Sequence, residues 1–448
     1  MQRQQWTHRC DGLEYEIEQL KDEGRAVPAE FEQAVAAALK LPDGPEKDAL
    51  ASELFTRAQK LPYAAGIDPE PSELAEILVR TEDVPAASLD GTDLFDKIYG
   101  GWLARCAGCL LGKPVEGWSR EAIEALCRDQ QNYPIRGYLT SAASEAFLEK
   151  YGELLHPQAA FIDRVDGMPE DDDTNYTIIG LKLLKEFGRD FTSDDVAALW
   201  LNNLPYYHLC TAERVTYRNL VECIEPPQST VFCNAYREWI GAQIRADIFG
   251  YVNPGDPKVA AEMAWRDASI SHVKNGIYGE MWVAAMIAAA FVQNDVAEII
   301  RIGLKTIPAE SRLTAAVRDA LAWRDECLPW QEVIERIHRR WNEANKHHWC
   351  HTVANAQIVA AALLYGEGSL EKTLSFAVLT GFDTDCNGAT AASVLGVMLG
   401  AKALPPQWIA PLNDTLYSGV DGFNRNRISD LARLSLGRLS LHPAAAAF

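Results

Sequence analysis

The chain has 448 residues, 42 of them basic and 63 acidic, and that formal charge of −21 argues against a nucleic-acid groove and for solubility. Ten cysteines in so long a chain form no disulfide framework, and the polar first residues do not resemble a signal peptide. The longest apolar run, Met281 to Phe291, is shorter than the roughly 20 residues a bilayer span needs, so a cytoplasmic protein without a membrane segment is expected.

Residues 1–90 are predicted to be a helical extension. Leu13, Ile17 and Leu20 share a face, as do Phe31, Val35 and Leu39, then Leu50, Leu54 and Ala58, with breaks at Pro28, Pro42 to Pro45, and Gly66 to Pro71. It covers part of the core or serves an oligomer contact; the sequence leaves both open. One large domain is expected over 91–440, followed by a 441–448 tail. Thr92 is the expected cap of its first helix, with Leu94, Ile98, Trp102 and Cys106 along one side. Gly100, Gly101 and Gly108 each cost about 1 kcal/mol in a helix relative to Ala, so close packing or a ligand should offset them. Cys106 and Cys109 read as core cysteines rather than as a redox or zinc pair.

Residues 119–165 look irregular, with a short helical patch at 142–154. Glu170-Asp171-Asp172-Asp173-Thr174 then opens a helix from Asn175 to Phe187, whose Tyr176, Ile179, Leu183 and Phe187 form one apolar face. Helical segments follow at Phe191 to Leu201, from Thr211, and from Asp295 to Trp341. His347 and His351 share a helix face, but without a partner at suitable spacing they read as polar surface or a cap, with His351 at most bordering a pocket. Gly381-Phe382-Asp383-Thr384-Asp385-Cys386 places carboxylates two apart at the mouth of a small-residue helix, and terminal helices are expected after Pro405. Strand signals are confined to short pieces near Tyr138 and Val231, so the fold class is all-α.

One Asp suffices to cap a helix, worth about 0.3 to 1 kcal/mol. Like charges about 4 Å apart repel by roughly 4 kcal/mol at an effective dielectric of 20, so the acidic runs exceed what capping requires. A divalent cation is the simplest remedy, and the oxygen-rich donors suit Mg²⁺ or Mn²⁺.

These two motifs, with Gly108-Cys109-Leu110-Leu111-Gly112-Lys113-Pro114-Val115-Glu116, resemble the ADP-ribosylglycohydrolase family. Its members carry a Thr-Asp-Asp-Thr helix start, a Gly-Gly-Asp-Thr-Asp-Thr loop and a Gly-Asp-Ala-Leu-Gly-x-Pro-x-Glu pattern. The resemblance implies a compact orthogonal helical bundle and a hydrolase that cleaves an N-glycosidic, ADP-ribosyl or related ribosyl bond with metal-activated water. It implies Mg²⁺, with two ions expected, one as an alternative and Mn²⁺ as a substitute. By the same resemblance Asp172, Asp173, Asp383 and Asp385 are metal ligands, Asp171 and Cys386 are ligand candidates standing where the family has Thr, and Glu116, as acid/base or ligand gate, and Asp173 are catalytic. Cys109 and Gly112 face the site. Gly241 and Arg245 match a substrate loop, and His272, with Asn275, Gly276 and Tyr278 after it, resembles a further pocket stretch. The expected partner is a small-molecule or ADP-ribosylated substrate.

Departures from the family pattern at Cys109, Asp171, Ile240 and Cys386 suggest a divergent branch. Two alternatives therefore stand: a hydrolase of the same fold acting on another C–N bond, and a non-catalytic ADP-ribose- or metal-binding protein.

Overall fold

The computed structural model describes residues 4–439, and these are built almost wholly from helices. At the centre, the Leu94–Gly112 and Thr384–Leu399 helices run antiparallel in close contact. Glycines make this possible. A methyl on Gly388 would meet the Gly108 carbonyl oxygen at 2.7 Å; Gly100 likewise faces Gly396, and Gly112 lies on the Thr384 carbonyl. The packing expected to offset the helical glycines is thus present, backbone against backbone.

The Lys274–Ala290 and Thr352–Gly366 helices complete the interior. Nearly every residue of these two helices is buried, which is why they show a uniform apolar composition rather than a stripe. At the periphery the Trp330–Arg340 helix buries only Val333, Ile334 and Ile337, the i, i+1, i+4 positions of an amphipathic face.

The extension folds into the Leu13–Asp22, Ala29–Leu39, Pro45–Ala58 and Leu74–Val79 helices. Leu13, Leu20, Phe31, Val35, Leu54 and Phe55 form a small core that docks on Cys233 and Ala235. Buried ion pairs tie it down. Arg237 meets Glu16 and Glu23 at 2.7 Å each, and Lys274 meets Glu23 at 2.6 Å. Such charges are tolerated inside only because each finds an opposite partner.

Several boundaries differ from expectation. Asp93, not Thr92, caps the first core helix, accepting from the Asp96 amide at 3.1 Å. The acidic helix spans Asp172–Glu186, and Phe187, beyond its end, is 42% exposed rather than part of the apolar face. Residues 119–165 hold two ordered helices, Arg120–Asp129 and Glu145–Tyr151. Neither Tyr138 nor Val231 lies in a strand. The described residues instead pair Thr415–Tyr417 with Arg425–Arg427, an antiparallel ribbon in the region expected to be helical. It is too short for alternation to register, with Leu416 its one buried inward residue in that first strand. Among the described residues no helix is long and apolar enough to cross a membrane. The 441–448 tail lies outside them.

Candidate active site

The antiparallel glycine contact sets the end of the first central helix beside the start of the second. Glu116, just past Gly112, therefore shares a cavity of about 1280 Å³ with Asp383, Asp385 and Cys386. The start of the Asp172–Glu186 helix adds Asp171 and Asp172 to the same wall.

Capping explains only part of this acid. Asp171 does cap its helix, accepting from the Asp173 amide at 2.8 Å. Asp383 stands at the N-cap position yet caps nothing, and both its Oδ1 and that of Asp385 are buried without a hydrogen-bond partner. The turn before them, with Gly381 at φ 76° and Phe382 at φ 59°, is left-handed at both residues and aims Asp383 inward. Buried unpaired carboxylate oxygens are costly. Hard oxygen donors with free lone pairs fit a divalent ion such as Mg²⁺.

The acidic atoms form two groups sharing Asp385. In one, Cys109, Asp171, Asp173 and Asp385 offer ligand atoms all within 4.8 Å of each other; in the other, Asp383, Asp385 and Cys386 do so. Lys113 donates to Asp171 Oδ2, and Arg105 meets Asp173 Oδ1 at 3.2 Å and Asp247 at 2.7 Å. Burial alone would raise the Asp171 carboxyl, but Lys113 outweighs it and holds it below its usual value. Asp383 is pushed well up by burial and then by Asp385, and Glu116 by the Asp385 charge and then by burial. Burial also raises the Cys109 and Cys386 thiols, which leaves them neutral and poor ligands for a hard ion.

The remaining expected residues divide. Gly241 lines the cavity and carries no side chain because a methyl there would run into the Glu213 carboxylate. Arg245 lies behind that wall, fully buried, 2.9 Å from Glu213 and 5.0 Å from the Trp200 ring. His272 is also behind it, bonded to Ser271 Oγ at 2.8 Å and held neutral by burial. Asn275, Gly276 and Tyr278 lie off the cavity wall, on the side where the extension docks. Asn275 donates to Glu238 at 2.9 Å and Glu70 at 2.6 Å, and Tyr278 donates to the Pro71 carbonyl. Asp173 is likewise buried off the cavity lining, its backbone carbonyl accepting from Arg105 at 2.6 Å.

Sequence reasoning missed Lys113, although it sits inside the third motif, and Glu213. It also missed the wall supplied by the extension, including Trp6, Asp11, Glu14 and Tyr15. Arg214 staples this wall to the core, donating to the Gln5, Leu209 and Tyr207 carbonyls at 3.0, 2.6 and 2.9 Å.

His347 and His351 gather with Asp22 of the extension. The Trp239 indole donates to His347 Nδ1 at 3.1 Å, and the Val353 amide to His351 Nδ1 at 3.2 Å. The Nδ1 of each ring thus accepts, and its Nε2 is the atom facing Asp22, at 2.9 Å for His347 and 4.0 Å for His351. His347 and Asp22 thus form a hydrogen-bonded joint between the core and the extension, while the His351 Nε2 beside it is buried without a hydrogen-bond partner among the described residues.

The ADP-ribosylglycohydrolase profile matches residues 90–443. A solved structure titled "ADP-ribosylglycohydrolase-related protein complex" aligns at a TM-score of 0.47 and 16% identity, covering 77% of this chain and 98% of its own. No curated protein sequence compared with the chain matches it. The family comprises hydrolases acting on ADP-ribosylated substrates, generally with metal. The profile match covers the whole core that carries the acidic cavity, and the chain belongs to the ADP-ribosylglycohydrolase family.

Proposed function

We propose that the chain hydrolyses an N-glycosidic bond at the C1 of an ADP-ribosyl or related ribosyl group, with Mg²⁺ as its cofactor. The observation that carries this reading is the pair of buried, unpartnered oxygens of Asp383 and Asp385, facing one cavity with Glu116, Asp171 and Asp172. Asp172, Asp383 and Asp385 would hold the ion, and Asp173, with Arg105, fixes the helix start behind them. Bound there, a divalent ion would supply positive charge to orient the sugar and to acidify water.

The chain's own residues supply the rest. Glycosidic cleavage builds oxocarbenium-like charge at C1, which the surrounding carboxylates stabilise. Glu116 exchanges a proton with the leaving nitrogen or the incoming water. Its carboxyl is raised by Asp385 and burial, which suits a donor, while a bound cation opposes that rise. Asp171, engaged by Lys113, orients the helix start rather than accepting that proton.

Calorimetric titration of ADP-ribose into Mg²⁺-loaded protein, repeated after chelation, tests the reading. Metal-dependent binding, followed by release of ADP-ribose from Arg-, Ser- or small-molecule-linked conjugates, is the expected result. No binding by Mg²⁺-loaded protein, and no release from any conjugate, would overturn it.

A further inference from the structure

The two acidic groups differ in what already neutralises them. In the group of Cys109, Asp171, Asp173 and Asp385, the Lys113 ammonium sits on Asp171 and the Arg105 guanidinium lies 3.2 Å from Asp173. Both carboxylates peculiar to that group therefore have a protein cation, and its remaining donor, Cys109, is a thiol buried in the core. In the group of Asp383, Asp385 and Cys386, no Lys or Arg forms an ion pair with either carboxylate among the described residues. Asp383 and Asp385 are each 3% exposed, and each has an Oδ1 with no hydrogen-bond partner.

Resting on the metal-dependent reading above, we propose that Lys113 serves as a tethered cation in place of a second metal ion, so that the site binds one divalent ion, at Asp383 and Asp385 with Asp172 beside them. The charges support this. Lys113 answers Asp171, and Arg105 answers Asp173 together with Asp247, which leaves Asp383 and Asp385, with Asp172 beside them, to one divalent ion. An ion placed between Asp171 and Asp385 would have to displace an ammonium anchored by its own backbone. It would also meet two like charges, the Lys113 ammonium on Asp171 and the Arg105 guanidinium on Asp173, which repel it. Lys113 is able to do this because Gly112, packed on the Thr384 carbonyl, fixes where its side chain begins.

The test is the number of ions bound, read without turnover. Mn²⁺ binding is followed by electron paramagnetic resonance, and Mg²⁺ binding by calorimetry, on wild type, Lys113→Met and Lys113→Arg. One ion per chain is expected in wild type and Lys113→Arg, and two in Lys113→Met, where Asp171 is released. Circular dichroism confirms that each variant is folded, and Lys113→Arg, which keeps the charge, gives a second comparison should Lys113→Met fail to fold. Two ions in wild type, or one in a folded Lys113→Met, would overturn this inference while leaving the hydrolase reading intact. No ion bound to wild type would overturn both.

Discussion

Gly108 and Gly388 touch through their backbones, and a methyl added to Gly388 would stand 2.7 Å from the Gly108 carbonyl oxygen. That contact fixes the separation of the two helices whose adjoining ends carry Glu116 and Asp385. Gly388→Ala forces the helices apart. A loss of about 1 to 3 kcal/mol in unfolding free energy is expected, as for other overpacked cores, together with weaker Mg²⁺ binding. Denaturant unfolding and metal titration check it; a variant of wild-type stability would show that the helices yield more easily than this packing implies.

Asp385 belongs to both acidic groups, so its loss should be felt more than that of any other carboxylate in the site. Asp385→Asn is expected to lower divalent-ion affinity at least tenfold. Because burial raises its carboxyl and Asp171 adds to this, the same change should stabilise the metal-free protein by relieving repulsion. Thermal melts in chelator and in Mg²⁺ should move in opposite directions relative to wild type.

Glu116→Gln keeps the shape and removes the exchangeable proton. A drop of about 10²- to 10⁴-fold in kcat with ion binding retained is expected for loss of general acid–base catalysis. Steady-state kinetics on a cleaved conjugate decide; unchanged kcat would remove Glu116 from the mechanism.

Acid should loosen the extension. Burial raises the Glu23 carboxyl, but Arg237 and Lys274 outweigh it and hold it well below its ordinary value of 4.5. The unfolded chain therefore takes up the proton first as pH falls, so this contribution is complete above about pH 4.5 and is lost below it. Glu16, raised by burial, works with the opposite sign, which makes the comparison with Glu23→Gln necessary. The melting temperature of wild type should fall more steeply with acid than that of the variant; parallel curves would mean that Glu23 is not the group responsible.

Trp6 and Tyr15 lie on the cavity wall supplied by residues that precede the family match at 90–443. Trp6→Ala is expected to raise KM severalfold with kcat nearly constant, since Trp6 lines the cavity wall and is not one of the acidic groups. A fall in kcat alone would contradict that placement.

How much of this was legible follows from what each residue does. The three motifs stood out because paired acids and glycines at fixed spacing seldom arise from packing alone, and the all-α fold followed from helical periodicity. Asp383 reaches the cavity from the loop that its motif defines. Arg245 and His272 were harder, since a loop match cannot tell a residue on the wall from one bracing it through Glu213. Asn275 and Tyr278 bond to Glu70 and Pro71, partners some 200 positions away, and no local pattern encodes that. The joint of His347 with Asp22 was invisible for the same reason: its acidic partner precedes it by 325 residues. The ribbon at Thr415–Tyr417 is three residues long, below the length at which alternation can be recognised.

The backbone contact between the central helices also sorts the cavity by how its parts can open. The amides of Thr384–Leu399 sit in a helix with no free face, so their hydrogen exchange should await disruption of the whole core. Residues 4 to 12 lie at the edge, tied down by Arg214 on the Gln5 carbonyl, Arg218 on the His8 carbonyl and Arg9 on Glu222, with Trp6 packed on the core and Cys10 buried; their amides should exchange before those of the central helix. The floor proposed to hold the ion should then be locked kinetically while the wall supplied by the extension exchanges sooner, which would make substrate entry a property of the extension rather than of the acidic groups.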